Sequence, residues 1–311
     1  MATLRPAAEL RSERTQPERT FTALGTRHVV ERIEPGLHII ATPIGNLGDI
    51  TLRALRALAA ADAILAEDTR VSRQLLGHYA IDTQLIAYHE HNAAQMRPRV
   101  LSRLTKGQAI GLISDAGTPL ISDPGYKLVV ECVAAGISVR SLPGPSAVLA
   151  ALTTAGLPTD RFFFEGFLPH KSAARRTRAN ALASIPATLV FYEAPSRLAG
   201  TLADLSAELG PRRAAVAREL TKFYEETRRD SLPELAAFYA AAEPPRGEIA
   251  IVVGPPFAAQ EISGESLDNE IQQATLEGLS TKDAAAVVAA RTGLPRREVY
   301  ARALRLAGRS Q

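Results

Sequence analysis

The chain has 311 residues, 46% of them hydrophobic and 22% charged, with 21 glycines and 20 prolines. That composition excludes a mostly disordered polypeptide, and the length points to two domains with room for a small third. Thirty-six basic against 33 acidic residues leave a formal charge of +3, too little to demand or exclude nucleic acid, and no apolar run approaches the roughly 20 residues of a membrane helix.

Residues 1–35 are polar, mixed in charge and weakly periodic, without the apolar core of a secretory leader. They read as a flexible extension, with a short helix conceivable around Ala7–Arg14, and a cytoplasmic protein is expected. From Pro35-Gly36 the character changes. Leu37–Ala41, Ala63–Ala66, Leu85–Ala87, Ala109–Ile113 and Ser138–Leu142 read as short buried strands. Between them lie helices over Thr51–Ala61, near Ser72–His78, around Met96–Lys106 and over Tyr126–Ala135. This alternation predicts an α/β domain over 36–155 with a mostly parallel sheet covered on both faces. A second α/β domain, 156–256, is read from strands at Phe162–Glu165, Ala187–Tyr192, Ala214–Ala217 and Ile249–Val253. Its helices are near Ala173–Leu182, Arg197–Leu209 and Leu232–Ala241. In the third region, 264–311, Ser280 to Asp283 resembles a capping box opening a helix through Arg291. Gly293 suits its C-terminal turn and Pro295 the start of a second helix to Leu306, so a helical hairpin is expected. The single cysteine, Cys132, rules out intrachain disulfides and reads as a small buried apolar residue.

In an open parallel sheet, ligands bind beyond the carboxyl ends of the strands. The segments expected there are Thr42-Pro43-Ile44-Gly45-Asn46, Glu67-Asp68-Thr69-Arg70, His89-Glu90-His91-Asn92, Ser114-Asp115-Ala116-Gly117-Thr118-Pro119 running on to Ser122-Asp123-Pro124-Gly125, and Pro143-Gly144-Pro145-Ser146. Most are rich in Gly, Pro, Asp or Ser, so backbone donors and carboxylates would line one cleft. No phosphate-cradling G-x-x-x-x-G-K-[ST] motif is present, which argues against an NTPase. His89 and His91 alternate as on a strand, but no third ligand motif accompanies them, so no metal is expected. Pro169 to Tyr192 holds Lys171, Arg175, Arg176 and Arg178 and no acid, a segment able to engage phosphates or simply to face solvent. From Lys282 the tail carries seven basic residues against two acids, whereas Glu265–Glu277 carries four acids and no base.

Taken in order, ATPIGNLGDIT, EDTR, YHEHN, LISDAGTPLISDPG, PGPSA, FFFEGFLP, YEAPSR, RELTKFYEE and GEIAIVVG resemble the ribosomal RNA small-subunit methyltransferase I family, a branch of the tetrapyrrole-methylase-like (class III) methyltransferases. The resemblance runs from about Gly36 to Gly254 and more weakly into the tail. It implies two α/β domains of the tetrapyrrole-methylase type with a cleft between them for S-adenosylmethionine, no metal, and a homodimer. It further implies methylation of a ribose 2′-hydroxyl, that of cytidine 1402 in the decoding centre of 16S ribosomal RNA. By position, Pro43, Ile44 and Gly45 match the first cofactor loop. Asp115, Gly117, Thr118 and Pro119 match the class's Gly-Asp-Pro turn, although Thr118 stands in the acid's place and the aspartate comes three residues earlier, at Asp115. Ser146 and Ala147, Phe191 and Tyr192, and Gly247 and Glu248 match the remaining cofactor-facing segments.

Methyl transfer from a sulfonium is an in-line displacement, so positioning in a desolvated cleft carries most of the catalysis. A ribose hydroxyl also needs a proton acceptor. EDTR, Asp115 and RELTK offer candidates, of which Asp68 with Lys222 nearby is chosen. Arg70, His91, Asn92, Lys171, Arg175, Arg176 and Arg197 are expected to contact the RNA, whose target nucleotide must be unpaired or splayed. Replacing Arg175 and Arg176 should then flatten the salt dependence of binding. A tetrapyrrole C-methyltransferase on the same scaffold is the alternative.

Overall fold

A computed structural model describes residues 18–256, 264–292 and 296–307. The chain divides into two compact units, the first running to Thr154 and including Ala217–Thr227 and Gly247–Ala250, the second comprising Ala155–Val216, Arg228–Arg246 and the chain from Ile251.

The first unit begins with a hairpin, β1 (Thr20–Ala23) and β2 (Thr26–Val29), paired antiparallel. Its two-residue turn places Leu24 and Gly25 at φ 51° and 75°, the left-handed pair that a type I′ hairpin requires. Then follow β3 (Gly36–Ile40), α1 (Leu52–Ala60), β4 (Ala63–Ala66), α2 (Thr69–His78), β5 (Leu85–Ala87), α3 (Glu90–Thr105), β6 (Ala109–Leu112), α4 (Tyr126–Ala134), β7 (Val139–Leu142) and α5 (Ala147–Thr154). The five strands β3 to β7 form one sheet in the order β5-β4-β6-β3-β7, with every neighbouring pair parallel. Successive residues of a strand face opposite sides of a sheet, so uninterrupted apolar runs feed two cores. Ile40, Ile64 and Ala66 pack with α1 and α2, whereas Leu37, Ile39, Leu65, Ile110 and Leu112 pack with α3 and α4. Cys132 is fully buried in the second of these cores, where burial pushes its thiol up to about 11.

Part of the expected flexible extension is therefore wrong. Phe21, Ala23 and Val30 are buried in the α1–α2 core, and the Thr22 N–H donates to the Tyr79 carbonyl at 2.7 Å. Arg19 pairs with Asp62 at 2.7 Å and also reaches the Ala60 carbonyl. The alternating apolar pattern there is only two residues deep, Phe21 and Ala23, too short to signal a strand in the sequence. The conceivable helix at Ala7–Arg14 lies outside the described residues. Helix α3 starts at Glu90, earlier than expected, because the Asn92 side chain accepts from the His89 N–H at 2.9 Å and closes a capping box. His89 and His91 thus sit at a helix entrance and not on a strand. Helix α5 was not anticipated.

The second five-stranded sheet is built from β8 (Phe162–Phe167), β9 (Thr188–Glu193), β10 (Arg213–Arg218), β11 (Glu226–Ser231) and β12 (Ile249–Val253), in the order β11-β10-β12-β9-β8. Strands β8 and β9 are parallel. Helices α6 (Ser172–Leu182), α7 (Leu198–Leu209) and α8 (Leu232–Ala241) accompany it. Strand β11 was not expected, since ETRRDS has no apolar pattern and pairs at a sheet edge.

The last elements are α9 (Gly264–Leu276), α10 (Thr281–Thr292) and α11 (Arg296–Ala307). The expected hairpin is joined by α9, and the three share a core of Leu267, Ile271, Ala284, Ala285, Val288 and Val299. Of the expected capping box, the Asp283 N–H donates to Ser280 Oγ at 3.2 Å and Ser280 Oγ donates to Asp283 Oδ2 at 2.6 Å; Gly293 and Pro295 lie outside the described residues. Acidic and basic segments meet where Arg302 binds Asp268 at 2.6 Å. Among the described residues no helix is long and apolar enough to cross a membrane.

Candidate active site

At the carboxyl ends of β3, β4, β6 and β7 four loops are tied together. Thr42 and Gly117 exchange backbone hydrogen bonds, N–H to carbonyl, at 2.9 and 3.1 Å, and Thr42 Oγ1 donates to the Ser114 carbonyl at 3.1 Å. Gly117, at φ 81°, lies so close to its neighbours that a Cβ would fall 3.2 Å from Ile44 Cγ2. The next residue, Thr118, donates from Oγ1 to the Pro145 carbonyl at 3.1 Å, bringing in the loop that carries Ser146 and leads to Ala147 of α5. Asp115 accepts the Asp68 N–H at 3.0 Å, which adds the loop after β4. Thus TPIGN, EDTR, DAGTP and PGPS share one rim, as their Gly, Pro and Asp content led us to expect.

A fifth segment reaches Gly45 and holds a sixth beside it. At φ 144° a Cβ on this residue would stand 2.5 Å from Lys222 Cγ and 2.6 Å from Cε, so the lysine stem occupies that space. Its ammonium is held by Glu219 at 2.7 Å and Glu248 at 3.1 Å. Burial works against the Lys222 charge, but these two hydrogen bonds outweigh it and raise its pKa, while the lysine holds Glu219 below the usual carboxylate range. Glu219 also accepts the Glu248 N–H at 3.1 Å, which requires the absence of a side chain on Gly247. Glu219 and Thr221 both adopt left-handed φ, 51° and 66°, a conformation that costs a non-glycine residue about 1 kcal/mol or more unless its surroundings enforce it.

Beside the rim is a cavity of about 200 Å³ lined by Thr42, Pro43, Gly45, Ser72, Ser114 and Asp115, among others. Ser72 Oγ is buried without a hydrogen-bond partner, so a hydroxyl is left for whatever polar ligand enters. Burial pushes the Asp123 carboxyl up to about 6; the Glu67 and Asp115 charges add to this and a hydrogen bond from Ser114 opposes it. Burial and the Asp115 charge raise Glu67 likewise. A carboxylate poised near neutrality suits proton transfer. Among the described residues no group of three or more His, Cys, Asp and Glu is placed to hold a metal ion.

Other expected site residues are engaged elsewhere. Asp68 caps α2, and the hydrogen bonds it accepts from Arg70, at 2.6 Å from Nη2 and 2.8 Å from the backbone, pull it down to about 2. So low a value makes it a poor proton acceptor. No direct contact joins it to Lys222 among those described. Asn92 is spent on the α3 cap and on the Ala87 carbonyl, while His91 is exposed. Phe191 is fully buried in the second unit and offers no open wall; Tyr192 packs edge-on to Phe164 at 5.0 Å. Arg197 is drawn to the buried Glu193 at 3.1 Å and to the Leu168 carbonyl.

The basic segment needs the firmest correction. Lys171 is exposed, but Arg175 is buried against Asp204 at 2.6 Å, with 8% and 13% of the two side chains exposed. Arg176 pairs with Glu208 at 2.7 Å and Arg178 with Glu165 at 2.5 Å. The run lacks local acids because its counter-charges come from α7 and β8. Arg175→Ala should therefore leave the salt dependence of RNA binding unchanged and instead lower unfolding free energy by about 3 kcal/mol, read by chemical denaturation, because Asp204 is left buried and unpaired. Asp123 and Glu219 lie in segments expected at the cleft, within SDPG and RELTK, whereas Ser72 does not. The second SDPG-like turn after SDAGTP signalled Asp123; nothing local distinguished Ser72.

The model of the tetrapyrrole (corrin/porphyrin) methylases matches residues 36–236, and that of the RsmI C-terminal HTH domain matches residues 270–307. The ribosomal RNA small subunit methyltransferase I of Mesorhizobium japonicum is 51% identical over 275 residues, covering 88% of this chain and 93% of its own. That of Pseudomonas aeruginosa is 47% identical, covering 88% of this chain and 98% of its own. The Thermus thermophilus uroporphyrin-III C-methyltransferase complexed with S-adenosyl homocysteine superposes with a TM-score of 0.51 at 19% identity. That match covers 70% of this chain and 96% of the other, and speaks to the fold alone. Matched across both domains and along nearly the whole of these relatives, the chain belongs to the ribosomal RNA small subunit methyltransferase I family and has the tetrapyrrole methylase fold.

Proposed function

We propose that this protein transfers the methyl group of S-adenosylmethionine to a ribose 2′-hydroxyl of 16S ribosomal RNA, that of cytidine 1402, acting as a cytoplasmic homodimer. The reciprocal Thr42–Gly117 pairing carries the reading, because it joins the family's scattered loops into one rim beside a cavity. When bound, S-adenosylmethionine supplies an electrophilic methyl. Pro43, Ile44 and Gly45, Asp115 to Pro119, and Ser146 and Ala147 would hold it, with the unpartnered Ser72 hydroxyl adding a donor. Gly247 and Glu248 meet the same rim through Lys222. Lys222 braces Gly45 and, its ammonium doubly paired, is not the proton acceptor. We assign that role to Asp123, which a hydrogen bond links to the cavity-lining Ser114: above about pH 6 it is ionised and able to receive the hydroxyl proton as attack proceeds. Arg70, His91 and Lys171 remain the candidates for RNA contact.

The test is incubation with radiolabelled S-adenosylmethionine and either unmethylated small ribosomal subunits or uroporphyrinogen. Label is expected in 16S RNA at one linkage made resistant to alkali, as a 2′-O-methyl requires. Label in the macrocycle alone would refute the reading.

A further inference from the structure

The loop that follows β10 places two large aromatic rings in the open. Phe223 is 92% exposed and Tyr224 68%; among the described large apolar side chains only Leu24 is barer than Phe223. The rings lie edge to face, with centroids 5.0 Å apart. An exposed aromatic on a floppy loop would fold back onto the nearest apolar surface and escape water. This loop cannot do so. The Glu219 N–H donates to the Glu248 carbonyl at 3.0 Å, the Lys222 N–H to the Glu219 carbonyl at 2.9 Å, and the Thr221 N–H to Glu225 Oε2 at 2.7 Å. Lys222 is fixed through its ammonium and along its stem on Gly45. The left-handed Glu219 and Thr221 are thus enforced, and the residue that follows the brace on the first cofactor loop is Phe223 itself.

We propose that Phe223 and Tyr224 form a stacking platform for an unpaired nucleobase of the RNA substrate. The inference rests on the rRNA reading above and adds to it a recognition element. Three features favour a base over an apolar partner. The rings stand immediately beside the rim loops, where a splayed nucleotide must come. Every base has a π-face, and flat rings held rigidly are what single-stranded recognition uses. The neighbouring acids are tied down within the loop, Glu225 by the Thr221 N–H at 2.7 Å and Glu226 by Arg218 at 3.2 Å.

The chain contains no tryptophan, which provides a direct reporter. In Phe223→Trp, the sole indole should be quenched when the cofactor-product-bound protein is titrated with a cytidine-containing single-stranded oligoribonucleotide. It should not be quenched by an abasic oligomer of equal charge. Phe223→Leu keeps the apolar bulk without the ring and should weaken oligoribonucleotide affinity about tenfold, with S-adenosylhomocysteine binding by calorimetry unchanged. Phe223→Tyr should restore it. Quenching equal with the abasic oligomer, or full affinity in Phe223→Leu, would overturn the platform. So would a changed mass in light scattering for Phe223→Leu, since the rings would then serve a contact between copies. Label entering 16S RNA at the wild-type rate in the Phe223→Leu variant would defeat this inference alone, whereas label confined to uroporphyrinogen in the wild type would defeat the rRNA reading.

Discussion

Asp123→Asn should lower the methyl-transfer rate constant at saturating cofactor and RNA by about a hundredfold or more, the usual contribution of a positioned proton acceptor. The wild-type rate should rise as pH climbs through about 6 and then level off, because only the ionised carboxylate accepts the ribose proton. In the variant that limb should vanish. Stability should move the opposite way. The native state holds this proton up to about pH 6, whereas the unfolded chain releases it near 3.8, so folding stability falls as pH rises across that window. Asparagine carries no charge to desolvate and should add about 1 kcal/mol at pH 7, after discounting for the side chain's partial exposure. Activity and stability diverging together is the signature, and denaturation beside pH–rate profiles reads both. A variant that keeps the wild-type limb would remove Asp123 from the proton-transfer role.

Gly45→Ala should weaken S-adenosylhomocysteine binding about a hundredfold. Two effects add. At φ 144° an alanine is strained by roughly 1–3 kcal/mol whatever surrounds it. Its methyl would also meet the Lys222 stem at 2.5 Å, and that stem cannot swing away without breaking ion pairs to Glu219 and Glu248. The double variant Gly45→Ala with Lys222→Ala separates them. It should recover part of the affinity lost in Gly45→Ala, because the clash is relieved while the backbone strain stays. Calorimetry on the four members of the cycle measures the coupling, and additive losses would show that the lysine does not act through the loop.

The architecture of the first unit could be read from the chain because its signals are local. Apolar runs such as Ala63–Ala66 and Ala109–Leu112 suit only a sheet buried on both faces, and such a sheet sends its turns to one edge. The Leu-Gly hairpin escaped notice for an equally local reason: leucine seldom adopts the left-handed conformation, so no Asn-Gly or Asp-Gly signal marked the turn. The site was legible as a set of loops but not as a division of labour. Asp68 and Lys222 are both chemically capable of proton transfer, and only their partners, Arg70 for one and two glutamates for the other, remove them from that role.

What the residues determined unaided is therefore what depends on near neighbours: strand and helix periods, the Ser280–Asp283 cap, and the glycine- and aspartate-bearing turns after each strand. Tertiary structure alone decided which charges are spoken for. Arg175 looks like a free cation until α7 brings Asp204 against it, and Asp123 looks like an ordinary turn residue until burial raises its carboxyl to about 6. Coulombic and desolvation energies depend on distance through space and on access to water, and neither quantity is carried by spacing along the chain.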